Sequence, residues 1–389
     1  MLRVLKKTER STELTARIGS IVSKYWKQLT TLFCMAGSTF AVEPMQVTVC
    51  PRLTPKALGE TAFVRGVEDL FINQTDEWSE VLENVSHFKF YTATLAWLYR
   101  NDPELLRQSV ANLAGMGKAF AVEVGIRAGH EATERTLLDP ITAAGGTVDF
   151  IITDNVFVKS QHHADTIPVY KWTYEDAVRR YAEYVAGIKQ QYPNLKVGIL
   201  EAAFRFHWDD AATYPAEVPA EDYGDLKDIL LDVIEACHAL DTRIDIFQPE
   251  YSYERIVNTE NGWAKLRAME AFCKEQGLEF YFLFNDHTGG STSDQLFHEN
   301  VMNCLRSVKH SGLMPALGTI QSWYEHPLAI LPEEQPHTFM NLAKEFIEEN
   351  QKVWTPTESS SAACSVAPET SALTVLGEKM DSLVDQATK

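Results

Sequence analysis

The chain has 389 residues, of which 45% are hydrophobic and 23% charged, proportions typical of a globular protein. They exclude a disordered or collagen-like chain, and the length suits one large α/β barrel. The 54 acidic residues outnumber the 35 basic ones, and the formal net charge of −19 repels polyanions. We therefore expect neither a nucleic acid nor an anionic membrane as partner.

The amino-terminal segment 1–41 has the order of regions expected of a secretory signal. Basic residues precede an apolar run at 29–41, LTTLFCMAGSTFA, and cleavage is predicted after Ala41. This run is too short to span a bilayer, so no transmembrane segment is expected. The pattern predicts a secreted or periplasmic protein. The alternative is an amphipathic amino-terminal helix on a cytoplasmic protein.

From residue 66 onward, short β-rich runs alternate with longer segments of helical period. The predicted strands are 66–73, 87–95, 118–125, 147–154, 196–204, 243–251, 278–286 and 313–323. Several of the intervening helical segments end in glycine, the residue that most readily adopts the left-handed conformation of a helix end. Eight repeated βα units favour a closed (β/α)₈ barrel over an open doubly wound sheet.

A final helical segment, TFMNLAKEFIEENQKVW at 338–354, completes the predicted ring of helices. Residues 42–354 are therefore expected to form a single domain. The tail 355–389 is rich in serine, proline and alanine, and is expected to be disordered.

The six cysteines contain no C-x-x-C pair, which excludes a zinc ribbon and a thioredoxin-type site. Cys237, Cys273 and Cys304 fall on predicted helices, where a small buried apolar role is expected. The chain also lacks the G-x-G-x-x-G, P-loop, G-x-S-x-G and H-E-x-x-H motifs. No cofactor is therefore expected.

Carboxylates lie near the carboxyl ends of five predicted strands, where a barrel of this type carries its active site. They are Glu123, Asp154, Glu201, Glu250 and Asp286. An ion pair or a helix cap would explain any one of them, and Asp154 and Asp286, just before loops, are the more cap-like. Five carboxylates converging on one rim favour a functional site.

Cleavage of a glycosidic bond needs one carboxylic acid to protonate the leaving oxygen and one carboxylate as nucleophile or base. Glu201 and Glu250 are the predicted catalytic pair, because each follows an apolar strand and precedes an aromatic-rich loop. Glu201, in GILEAAF, is the predicted acid, since apolar surroundings raise a carboxyl pKa. Glu123, Asp154 and Asp286 would bind substrate hydroxyls or tune the pair.

Aromatic and amide side chains accompany these carboxylates, and their flat faces and hydrogen-bonding groups suit a sugar ring. The predicted substrate-binding residues also include Tyr91, His207, Trp208, Gln248, Tyr251 and Trp323. The loops 155–172 and 205–220 are polar and aromatic, and are expected to form the walls of the cleft.

Trp323 ends the eighth predicted strand in TIQSWYEHP, and carboxylates stand at the other strand ends. In this layout, residues 66–350 resemble the secreted TIM-barrel glycoside hydrolases. The resemblance implies cleavage of an oligo- or polysaccharide. The chain departs from known patterns, because Leu200 and not asparagine precedes Glu201, and no D-x-x-D-x-D-x-E run is present.

Two other functions fit the same acidic rim. A divalent-metal-dependent sugar isomerase or epimerase would use Glu201, Glu250, Asp286 and His287 as ligands, with a bend in the loop after His287. His162 and His163 are further possible ligands, although a solvated loop explains them more simply. A non-catalytic, exported carbohydrate-binding barrel would use the acids only for hydrogen bonding.

Overall fold

The computed structural model describes residues 43–125, 131–162, 172–209 and 224–352. The predicted leader 1–41, the tail 355–389 and His163 lie outside these residues, as does most of the predicted wall loops. No helix within the described ranges is long and apolar enough to cross a membrane.

Eight parallel strands close into a barrel in sequence order, which confirms the predicted (β/α)₈ fold. The strands are Gln46–Cys50 (β1), His87–Tyr91 (β2), Ala119–Val124 (β3), Val148–Asp154 (β4), Lys196–Glu201 (β5), Ile246–Pro249 (β6), Glu279–Phe284 (β7) and Leu317–Gln321 (β8). Closure is direct, because β1 pairs with β8 as well as with β2.

Helices follow the strands and cover the outside of the barrel. In the described residues they are Pro55–Leu58 (α1), Glu60–Glu68 (α2), Ser79–Asn84 (α3), Thr92–Asn101 (α4), Pro103–Gly115 (α5), Glu131–Ala143 (α6), Val156–His162 (α7), Tyr174–Gln191 (α8), Leu226–His238 (α9), Tyr253–Asn258 (α10), Gly262–Gln276 (α11), His287–Gly290 (α12), Asp294–Ser311 (α13) and Phe339–Gln351 (α14). As expected, glycine ends two of the long helices: Gly277 after α11 and Gly312 after α13 adopt φ of 71° and 77°.

The first predicted strand is wrong. Residues 66–73 are helical, comprising the end of α2 and a π-helical turn at Asp69–Asn73. Val67, Leu70 and Phe71 are buried there, and this spacing of three and four residues is that of a helix face. The true first strand, β1, lies upstream at Gln46–Cys50.

Side chains alternate along each strand between the barrel lumen and the helix layer. The lumen is packed by one apolar cluster: Ala121, Phe150, Ile152, Leu200, Ile246, Tyr281, Leu283 and Leu317. The opposite faces of the strands pack against the helices, and Cys237, Cys273 and Cys304 are buried in that outer layer, as predicted. The same alternation determines which rim side chains face the mouth of the barrel.

Candidate active site

The five predicted rim carboxylates divide between the two faces of the barrel wall. Glu123, Asp154 and Glu250 continue the lumen-facing series of their strands, two or four residues beyond Ala121, Ile152 and Ile246. Glu201 and Asp286 have the opposite phase, because the lumen-facing residues before them are Leu200 and Leu283. The mouth therefore receives three of the five carboxylates.

Glu201, the predicted catalytic acid, lies in the helix layer and is 0% exposed. Its Oε1 accepts a hydrogen bond of 2.7 Å from the backbone amide of Phe157, and its Oε2 one of 3.5 Å from that of Val158. It thus satisfies free amides in the first turn of α7. Burial raises the pKa of Glu201 to about 8, and the charge of Asp154 adds to the effect. This position gives it no access to a substrate in the mouth.

Asp286 also lies in the helix layer, where it caps α12. Its Oδ2 accepts hydrogen bonds from the backbone amide of Gly289 at 2.5 Å and from Asn300 Nδ2 at 2.9 Å. Burial, followed by the neighbouring Glu254, raises the pKa of Asp286 to about 7. The cap-like interpretation of this residue is confirmed, and its predicted contact with substrate has no support from its position.

Asp154 and Glu250 approach each other at the mouth. The Nδ2 of Asn155 donates to Asp154 Oδ1 at 2.6 Å and to Glu250 Oε2 at 3.1 Å. The two carboxylate oxygens can be no farther apart than these two bonds laid end to end. Asn155 is itself held in place, because its Oδ1 accepts a 3.0 Å hydrogen bond from the backbone amide of Ala202.

The two bridged carboxyl groups differ in their surroundings. Glu250 is only 9% exposed, and burial together with the charge of Asp154 raises its pKa to about 7, against opposing effects of Asn155 and Arg255. The Asp154 side chain is 22% exposed and forms an ion pair with Lys159. Burial raises the pKa of Asp154 as well, while the ammonium group of Lys159 opposes that shift. The pKa of Glu250 thus lies near neutral pH, while the carboxyl group of Asp154 is paired with a cation.

Glu123, the third carboxylate of the mouth, is fully engaged. Its Oε2 binds the buried Lys89 Nζ at 2.7 Å and Gln321 Nε2 at 2.8 Å. Its Oε1 accepts from the indole Nε1 of Trp323 at 3.3 Å. Glu123 thus fixes the positions of Gln321 and Trp323.

Three polar residues of this site were not identified from the sequence, namely Lys89, Asn155 and Lys159. Lys89 is a lone charge inside the apolar strand HFKFY, a signal that a buried ion pair exists. Asn155 has a left-handed φ of 53°, which asparagine tolerates better than most residues. In the sequence, its place directly after Asp154 was the feature that could have identified it as a site residue.

Four of the side chains predicted to bind sugar each lie in a different environment. Trp323 is half-buried and packs on the lumen cluster. The hydroxyl of Tyr91 donates to the carbonyl of Ser322 at 2.8 Å, beside the eighth strand end. Gln248 lies inside the lumen and donates to Thr319 Oγ1 at 3.1 Å. His207 is half-buried, and its backbone forms an isolated β-bridge with that of Asp225 outside the barrel sheet.

Trp208 and Tyr251 are core residues, contrary to their predicted sugar-binding role. Trp208 is 2% exposed and contacts Phe272 edge-on, with ring centroids 5.4 Å apart. Tyr251 is fully buried, and its hydroxyl donates to Thr259 Oγ1 at 2.7 Å. Neither ring offers a face to a substrate.

The ligand set predicted for a metal-dependent enzyme is not brought together. Within the described residues, the one group of three acidic or histidine side chains close enough to share an ion is Glu80, Glu333 and Glu334. It lies at the start of α3. There Lys344 binds Glu80 at 3.1 Å and Glu334 at 2.6 Å, while Glu333 accepts hydrogen bonds from backbone amides of α3.

No family model and no curated protein sequence matches the chain. Among solved structures, it is similar to a fungal β-1,4-galactanase, with 10% identity over 78% of this chain and 100% of that chain and a TM-score of 0.49. It is also similar to a sugar phosphate isomerase/epimerase from Parabacteroides distasonis, with 9% identity over 82% and 99% of the two chains and a TM-score of 0.41. A probable 3-DHS dehydratase from Bacillus anthracis has 9% identity, coverage of 78% and 98%, and a TM-score of 0.42. Likeness at this level does not distinguish among the three candidate functions.

Proposed function

We propose that the chain hydrolyses glycosidic bonds in an oligo- or polysaccharide, with Glu250 as the acid and Asp154 as the nucleophile. The observation that carries this proposal is the bridge through Asn155, which holds two carboxyl groups with different charged partners side by side at the barrel mouth. Retaining glycosidases place their carboxyl groups about 5 Å apart, and inverting ones about 6.5–9.5 Å apart. One shared nitrogen favours the shorter separation and hence retention.

The chemistry follows from the two environments. Glu250, with a pKa of about 7, donates its proton to the leaving oxygen as the glycosidic bond breaks. The Asp154 carboxylate, paired with Lys159, attacks the anomeric carbon and forms a glycosyl ester. Glu250 then accepts a proton from a water molecule, and the resulting hydroxide displaces Asp154 from the sugar. Both carboxyl groups return to their starting states.

This assignment keeps Glu250 from the predicted pair and replaces Glu201 with Asp154. Glu201 is fully buried and bonded to α7, whereas Asp154 has exposed surface and faces the lumen. Glu123 contributes through position, because it holds Trp323, whose half-buried indole supports the apolar face of a sugar. Export, predicted from residues 1–41, would bring the protein to a polymeric substrate outside the cytoplasm.

The test is release of nitrophenol from a panel of nitrophenyl glycosides, and of reducing ends from neutral polysaccharides. We expect wild-type turnover that survives EDTA, and losses of about 10²–10⁴-fold in Glu250→Gln and Asp154→Asn. Glu348→Gln, an exposed glutamate on α14, is the matched control and should leave the rate unchanged. Loss of activity in EDTA would instead support the metal-dependent isomerase. Ligand binding without turnover would support the non-catalytic barrel.

A further inference from the structure

Three amide side chains on one side of the lumen carry buried oxygens without a hydrogen-bond partner. They are Gln248 Oε1 on β6, Asn285 Oδ1 just after β7 and Gln321 Oε1 at the end of β8. A buried polar group without a partner costs free energy that most proteins avoid. These acceptors on β6, β7 and β8 therefore lack hydrogen-bond donors, which a ligand can supply.

Gln321 is the most informative of the three, because its orientation is fixed. Its Nε2 donates to the Glu123 carboxylate at 2.8 Å, and a carboxylate cannot serve as donor to the amide oxygen in that ion pair. Its Oε1 therefore points away from Glu123 and presents an acceptor. The missing partner is a donor, such as a hydroxyl group.

Asn285 stands beside Gln321. Phe284 of β7 pairs with Ile320 of β8, and each of the two amides is the next residue on its strand. Both belong to the lumen-facing series, which includes Leu283 two residues before Asn285. The two acceptors are thus neighbours at the depth where the carboxylates of the mouth begin.

The lumen below them is closed. Ile152, Leu200, Leu283 and Leu317 fill it as one apolar cluster, so a polymer cannot pass through the barrel. Gln321 and Asn285 are 0% and 3% exposed, so a ligand reaches their oxygens only by displacing the side chains that cover them. Only a chain end, or a group that projects from the chain, is small enough to do so. Lys89 and Lys159 pair with the rim carboxylates Glu123 and Asp154, so selection against an anion rests on the two amide oxygens. They are acceptors, and a carboxylate has no proton to donate to them.

We propose that Asn285 and Gln321 form an inner subsite that binds a hydroxyl group of a neutral terminal sugar. This subsite rests on the proposed function only for its substrate class, since the unpartnered acceptors are independent of the reaction. It makes the enzyme exo-acting and selects against uronic acids.

The test is calorimetric titration of the full-length Glu250→Gln protein with glucose, galactose and mannose, and with glucuronate, galacturonate and mannuronate. We expect at least one neutral hexose to bind, and its uronate to bind at least tenfold more weakly. Gln321→Met and Asn285→Leu, which keep size and remove the acceptors, should each weaken the hexose at least tenfold. Gln351→Met, an exposed glutamine at the end of α14, is the control and should bind as the parent does.

Circular dichroism of each variant identifies any that fails to fold, and the two separate substitutions keep the test valid if one does. The subsite is overturned if no hexose binds, if a uronate binds as well as its hexose, or if folded variants bind normally. Hexose binding with the expected losses, but no glycoside hydrolysis by the wild type, would refute the proposed function and leave the subsite standing. Hydrolysis of neutral glycosides and uronides at equal rates would refute the subsite alone.

Discussion

Replacing Glu201 by glutamine separates a structural carboxyl group from a catalytic one. The structure buries this side chain against the backbone amides of Phe157 and Val158 at the start of α7. A glutamine has the same shape, its carbonyl oxygen still accepts from one amide, and it carries no charge at any pH. We therefore expect Glu201→Gln to fold, to keep turnover within about twofold at pH 6, and to change how stability depends on pH.

The magnitude follows from the pKa of Glu201, which burial raises from 4.5 to about 8. A carboxyl group with a raised pKa in the folded state holds a proton there that the unfolded chain has lost. Stability therefore falls as pH rises through this window, by about 1.4 kcal/mol per pH unit. Between pH 4.5 and 8, this one group lowers the free energy of unfolding by about 5 kcal/mol. The variant lacks this loss.

The assay is urea unfolding of both proteins at pH 5, 6, 7, 8 and 9. Glu250 and Asp286 also have raised pKa values, but they are present in both proteins and cancel in the difference. The repulsion between Asp154 and Glu201 is part of the Glu201 shift and is lost in the variant. The free energy of unfolding of the variant, relative to that of the wild type, should increase with each pH step up to about pH 8 and not beyond. Parallel pH curves would refute the buried-acid reasoning, and a loss of turnover of 10²-fold or more in folded variant would restore Glu201 as the acid.

Three further substitutions test parts of the site. Asn155→Ala removes an amide that lowers the pKa of Glu250, so the alkaline fall in kcat/KM should move to higher pH; an unmoved pH profile would contradict the bridge. Trp323→Ala should raise KM about tenfold with little change in kcat, as expected for a sugar platform, and an unchanged KM would remove that role. Trp208→Ala should lower the free energy of unfolding by about 3–5 kcal/mol in urea titrations and leave KM unchanged, whereas a KM effect would favour the predicted sugar contact.

The barrel could be predicted from the sequence because strand-like and helix-like segments alternate clearly along the chain. The last helix, expected at 338–354, is α14 at Phe339–Gln351. The error lay at the start, where GVEDLFIN has the composition of a strand and the spacing of a helix. Val67, Leu70 and Phe71 pack on one helical face, and the true β1 has only five residues next to the predicted leader.

The sequence does not show on which face of its strand each rim carboxylate lies. A parallel strand buried on both faces is apolar throughout, so its sequence does not say which residues face the lumen. In β5, Ile199 packs against the helices and Leu200 faces the lumen, yet the two are interchangeable as sequence signals. Glu201 and Glu250 therefore looked alike, although only Glu250 enters the mouth.

The contacts that define the site depend on residues far apart in the chain. Asn155 joins Glu250 across 95 positions, and Trp323 joins Glu123 across 200. Neither spacing forms a motif, and both arise from closure of the barrel. Sequence patterns predicted which strand ends carry acids, while the partners of those acids needed the three-dimensional structure.

The most direct test of the central claim is the pH dependence of kcat/KM for the best nitrophenyl glycoside, compared between wild type and Glu250→Gln. Wild-type kcat/KM should fall above pH 7, because Glu250 must hold a proton to act as the acid. In the variant, the rate should be lower by about 10²–10⁴-fold and that alkaline fall should be absent. A variant with wild-type rate and the same alkaline fall would contradict the assignment of Glu250 as the acid.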